Sequence, residues 1–260
     1  MKFTYLCAAF ACIFSLAVQP LSAGKKKKVQ NQEQKVALGV WDDVDKSATV
    51  ESLILWIKNY YMCGSPEEVA RYIEAAKSYQ GAKVHAWMFT VNAPGDSAAL
   101  AHPEWFDVNR IGYNSHEYDP YVKHYKWLSP SVPEARRYMK DKAASYAALE
   151  GLTSVHLDFI RYNDAVRRLQ QHKFKIQQDT YRAEYDFGYH PVAIEKFKKL
   201  FGYSPLDLQA PWMSPEWLQF RLNEVTSLVN EIVEATHSEG KLVSAAVFPY
   251  PTRARMTVYQ

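Results

Sequence analysis

The sequence predicts an α/β fold of the (β/α)8 TIM-barrel type, and three observations lead there. A unit of helix, glycine and short apolar strand recurs three times, the pattern of parallel strands covered by helices. No Gly-rich phosphate loop follows any of those strands, so the usual nucleotide chemistry of an open doubly wound sheet lacks its motif. The segments after the strands at Trp87 and Asp158 are long, aromatic and polar, and barrel proteins build their clefts from such loops. An open sheet is the alternative arrangement of the same elements.

The elements follow in chain order. Val36 to Trp41 is an apolar run ending in Asp42 and Asp43, which reads as a buried strand opening into an acidic loop. Val50 to Met62 suits a helix or a strand equally. Ser65-Pro66-Glu67-Glu68 combines a Ser cap, Pro at the first helical position and Glu at the third, and Val69, Ile73 and Ala76 continue at helical spacing. Gly81 stops that helix and leads into the strand Val84–Phe89. A helix from Pro133 to Leu149 ends at Gly151 and leads into Val155–Ile160. A third, opened by Ser214-Pro215-Glu216, ends at Gly240 and leads into Leu242–Phe248. Four clear strands and one ambiguous one fall short of the eight that a closed barrel holds in about 250 residues. Residues 35–260 are therefore expected to be the N-terminal part of a barrel whose later strands are missing from this chain.

Lys2, the apolar run Phe3–Val18, and the small residues Ser22, Ala23 and Gly24 follow the charged-apolar-small order of a secretory signal peptide over residues 1–23. The run is too short for a stable membrane span, and no other segment is long and apolar enough. A basic and polar linker over 24–34 follows, containing Lys25–Lys28, a solvated tether expected to associate weakly with anionic envelope surfaces. The mature protein is thus expected to be secreted or periplasmic. Removal of the leader takes away Cys7 and Cys12 and leaves Cys63 alone, so no intrachain disulfide is expected. Lys2 and the Lys25–Lys28 run account for five of the 31 basic residues, which leaves 26 against 28 acidic ones. That balance excludes the basic face of a nucleic-acid-binding domain.

Alternate residues of a strand share a face, so His156 points with Asp158 and His85 points with Trp87. If both strands belong to one barrel, these four side chains converge near its top. An inward carboxylate at position 158 needs solvent, a hydrogen bond or a partner, and loop amides or Arg161 are candidates. His85 and His156 are either satisfied interior histidines or catalytic groups. Trp87 is a stacking platform or a core filler, and Arg161 and Tyr162 either bind substrate or order the loop after Asp158.

Several segments resemble the bacterial family-10-like glycosyl hydrolases, a group distinct from the true family 10 xylanases. They are His85-Ala86-Trp87, Trp127-Leu128-Ser129-Pro130 with Pro133-Glu134-Ala135-Arg136, and His156-Leu157-Asp158 with Arg161-Tyr162. The similarity continues through Phe197, Gly202 and Pro205 to Trp217–Arg221 and Phe248-Pro249. Asn163 departs from it where these proteins often carry Pro. The resemblance implies a (β/α)8 barrel that hydrolyses glycosidic bonds outside the cytoplasm, with Asp158 as a catalytic carboxylate and a carbohydrate as its substrate. It makes Trp87, His85, His156, Arg161 and Tyr162 candidates for substrate binding and implies no cofactor. Such hydrolysis normally uses two carboxyl groups. Asp43 and Asp186 are the candidates for the second within this chain, and a residue beyond Gln260 is the third option. The competing reading is a carbohydrate-binding relative without activity, using Trp87, Trp105 and Tyr162 as stacking surfaces. A metal site built from His85, His156 and Asp158 is a further alternative, which no short ligand spacing supports.

Overall fold

Among the described residues five strands pair side by side in chain order, every pair parallel: β1 (Gly39–Asp43), β2 (Asn59–Cys63), β3 (Lys83–Phe89), β4 (Leu152–Asp158) and β5 (Leu242–Ala245). The computed structural model describes residues 39–43, 59–79, 81–118, 123–163 and 181–247. The expected signal peptide over 1–23 and the Lys25–Lys28 run lie outside the described residues, as do the side chains of 40–43. The helices are α1 (Pro66–Ala76), a short α2 (Ser97–Leu100), α3 (Pro133–Ala147), α4 (Pro191–Phe201) and α5 (Pro215–Ser238). Among the described residues no helix is long and apolar enough to cross a membrane.

The local signals act as their chemistry requires. The Glu68 N–H donates to Ser65 Oγ, and Glu68 Oε2 accepts the Ser65 N–H at 2.6 Å, closing a capping box on α1. Ser214 caps α5 with a single bond, its Oγ accepting the Trp217 N–H at 3.3 Å. Gly81, Gly151 and Gly240 precede β3, β4 and β5 with φ of +78°, +82° and +70°, a conformation that glycine adopts without strain. At Gly151 space matters as well, because a Cβ there would stand 2.7 Å from Ile73 Cγ2.

The sheet has two unlike faces. Tyr60, Met62, Val84, Ala86, Met88, Val155 and Leu157 form a continuous buried surface. It packs against Val69 and Ile73 of α1, Ala135, Met139 and Ala143 of α3, and Leu228 and Ile232 of α5. Burying side chains such as Met88 and Leu157 stabilises the fold by roughly 1.5–3 kcal/mol each. The opposite face carries Asn59, Tyr61, His85, Trp87, Ser154, His156, Asp158 and Ser244. The three crossover helices α1, α3 and α5 thus cover one face only. A doubly wound sheet has helices on both faces, so the described part is singly wound, as the strands of a barrel are.

Element ends differ from expectation where tertiary contacts intervene. The strand at 155–160 stops at Asp158, because Phe159 turns to φ +53°. The first strand lies at 39–43, and the ambiguous segment holds β2 at 59–63. Helix α4 has no counterpart in the sequence reading. Its cap is the His190 imidazole, which accepts the Val192 N–H at 3.2 Å, in place of Ser, Thr, Asp or Asn. Its ordinary signals are Pro191 at the first position and, at the end, Lys198, Lys199 and a left-handed Gly202. Ala193 and Phe197 of α4 join Tyr189, Trp217 and Phe220 in a second, smaller core.

Candidate functional site

The strand register sets Trp87 beside His156 and Phe89 beside Asp158, so the end of β3 flanks the end of β4 on the polar face. Asp158 is the last residue of β4 and is partly exposed. Its Oδ2 accepts the Trp87 indole N–H at 3.1 Å and its Oδ1 accepts the Phe159 N–H at 2.7 Å. A loop amide therefore satisfies the carboxylate, as one of the sequence alternatives held, and the indole is the second donor. Asp158 is the one carboxylate among the described side chains of this face.

His85 and His156 lie deeper on the same face and are buried. His85 Nδ1 is 2.7 Å from Ser154 Oγ on β4, and its Nε2 is 3.2 Å from Asn59 Oδ1 on β2. His156 repeats the motif one strand further on, with Nδ1 2.9 Å from Ser244 Oγ on β5. Tyr61 stacks on His85 and meets His156 edge-on. Both histidines are therefore cross-strand hydrogen-bonding groups of the interior. With both ring nitrogens of His85 so engaged, the His85, His156 and Asp158 metal set does not fit the structure. Among the described residues no group of three or more His, Cys, Asp or Glu could hold a metal ion.

Arg161 lays its guanidinium over the Trp127 and Phe159 rings at 5.2 and 5.6 Å and donates to the Tyr162 carbonyl at 3.2 Å. It braces the turn that follows Asp158. The expectation that Tyr162 binds substrate is corrected: its ring is buried beneath the Arg221 guanidinium, 4.5 Å away. Gly188 makes that approach feasible, since a Cβ there would lie 2.8 Å from Arg221 Nε and 3.2 Å from the Tyr162 ring.

Asp186 is likewise corrected as a second catalytic carboxylate. It is 1% exposed, bonds Arg221 at 3.1 Å, and accepts the Tyr181 and Tyr189 hydroxyls at 2.6 and 2.7 Å. A group so enclosed ties loops together and does not meet a substrate. Asp43 ends β1 beside Cys63, and its side chain lies outside the described residues. Trp105, the other proposed stacking surface, packs flat on His102 at 3.9 Å and leans on Tyr138 of α3.

Sequence reasoning missed Asp107 and Phe159. Asp107 is 1% exposed, and burial raises its carboxyl to about 7, with the Val108 amide and the Arg221 charge opposing the rise. Phe159 is the one non-glycine residue with positive φ among those described, a conformation that costs roughly 1–2 kcal/mol. The strong aromatic and β-branched strand signal around it hides the turn.

Burial also lowers both histidines to about 4, aided at His85 by His156 and Lys83 and opposed at His156 by Asp158. The folded values of the histidines lie below their ordinary 6.5, so the stability they contribute is present above that pH and lost as pH falls towards 4. Asp107 has the opposite sign: its contribution is complete below 3.8 and lost as pH rises towards 7. As pH falls from about 6.5 towards 4 the histidines lowered by burial, His190 among them, destabilise and Asp107 opposes them. Asp107→Asn removes the compensation, and stability from urea unfolding is expected to fall more steeply with pH across that range than in the wild type, by the equivalent of about one proton. Equal slopes in the two proteins would refute the assignment.

The fold is similar to that of the PgaB (BpsB) glycoside hydrolase domain from Bordetella bronchiseptica, with a TM-score of 0.53 and 14% identity over 86% of this chain and 69% of that one. It is also similar to the alpha-L-fucosidase isoenzyme 2 from Paenibacillus thiaminolyticus, with a TM-score of 0.52 and 11% identity over 86% of this chain and 34% of that one. At these identities the likeness is one of fold. No family model matches the sequence. No curated protein matches it either.

Proposed function

We propose that the protein is an exported glycoside hydrolase acting on a glycan or envelope polysaccharide, with Asp158 as one of its catalytic carboxylates. The observation that carries the reading is a partly exposed, donor-oriented carboxylate at the C-terminal end of a singly wound parallel strand. That is where barrel enzymes place catalytic groups. The fold likeness to glycoside hydrolases and the resemblance of the segments around Trp87, Trp127 and Asp158 to the family-10-like group support it. In this reading residues 1–23 are the export signal, 24–34 a basic tether at the envelope, and 35–260 part of a (β/α)8 barrel. Trp87, partly exposed beside Asp158, is the stacking surface for a sugar ring.

The described polar face supplies one carboxylate where the reaction normally uses two. That observation favours a second reading, a carbohydrate-binding barrel without activity. Release of reducing ends from a panel of polysaccharides and 4-nitrophenyl glycosides separates the two. Wild-type release supports the hydrolase, whereas retention on a polysaccharide affinity gel without release favours the binding protein.

A further inference from the structure

We infer that Phe159 and Trp87 are positioning residues that hold Asp158 as the accepting carboxylate of the reaction, so that a different group protonates the leaving oxygen. This rests on the hydrolase reading above. The Phe159 N–H donates back to Asp158 Oδ1 at 2.7 Å, and the left-handed φ of +53° at Phe159 turns the chain off the strand directly after that bond. The surroundings over-determine that turn. From the end of β3, the Thr90 N–H donates to the Asp158 carbonyl at 2.9 Å and the Val91 N–H to the Phe159 carbonyl at 3.4 Å. The Phe159 ring is wedged edge-on against Phe89, Tyr125 and Trp127 at 5.0, 5.9 and 5.9 Å, with Arg161 above it. Trp87, held edge-on by Phe89 at 5.3 Å, sends its indole N–H to the other oxygen. Both oxygens thus face donors. A carboxylate offers a charged oxygen to each N–H donor, whereas protonation would leave one donor facing a weakly accepting hydroxyl oxygen.

Three comparisons test the inference. Phe159→Gly and Phe159→Ala both delete the ring, and at positive φ the glycine variant should unfold about 2–4 °C higher than the alanine variant. The reverse order would show that the turn is absent and overturn the inference. On a panel member that the wild type hydrolyses, Trp87→Phe keeps the ring and loses the donor. It should lower kcat by about tenfold or more with KM within about twofold. Asp158→Asn should lose the same factor on a 4-nitrophenyl glycoside as on a polysaccharide. A proton donor's variant would be spared on the nitrophenyl substrate, whose leaving group departs without protonation, and that sparing would overturn the assignment. Absence of any wild-type turnover overturns the hydrolase reading and the inference with it. Wild-type turnover that survives Trp87→Phe overturns the inference alone.

Discussion

Asp158→Asn is expected to lower kcat on the order of 10³-fold while the protein stays folded. The substitution is isosteric, and its cost can be read from the two bonds at the site. The Asn oxygen still accepts one N–H, while its NH2 faces the other donor, either the Trp87 indole or the Phe159 amide. Because the position is partly exposed, water relieves the mismatch, and the loss of stability should be about 1 kcal/mol. A drop in turnover with a nearly unchanged thermal midpoint therefore separates chemistry from folding. Turnover equal to that of the wild type would remove Asp158 from the mechanism.

The largest effect on stability is expected at Arg221→Met. Arg221 is 2% exposed and ties its helix to two segments distant in sequence: it bonds Asp186, donates to the adjacent Phe187 carbonyl at 2.6 Å, and covers the Tyr162 ring. Removing its charge leaves Asp186 a buried anion, with Asp107 close enough to feel it. Breaking a buried pair on one side costs about 3–5 kcal/mol. Adding Asp186→Asn removes the stranded charge, and an amide oxygen can still accept from Tyr181 and Tyr189. The double variant should therefore recover most of the loss in urea unfolding, and its turnover should return with its fold. Refolding of the double variant without turnover would restore Asp186 as a candidate for the second catalytic carboxylate.

The repeated helix, glycine and strand were legible because each signal acts within a few residues. The Ser65–Glu68 box, Pro215 after Ser214, and the left-handed glycines at 81, 151 and 240 all do their work locally. The alternation in β3 and β4 was equally plain, with Val84, Ala86 and Met88 on one side and His85 and Trp87 on the other. It paired His85 with Trp87 and His156 with Asp158, each on one side of its strand, and the β3–β4 register put the two pairs on one polar face. Helix α4 escaped notice because a histidine caps it and its buried stripe is only Ala193 and Phe197.

What sequence alone determined, then, is the order of the elements, the parallel sheet and the candidacy of Asp158, since propensity, capping and strand alternation are short-range. What only the tertiary structure decided is which polar groups are used up in the interior. Asp186 and Tyr162 are enclosed by Arg221, which follows them by 35 and 59 residues, and the Trp87 indole meets Asp158 across 71. Such pairings leave no period in the sequence, because they arise when separate loops close over the strand ends and must satisfy every buried charge and donor at once.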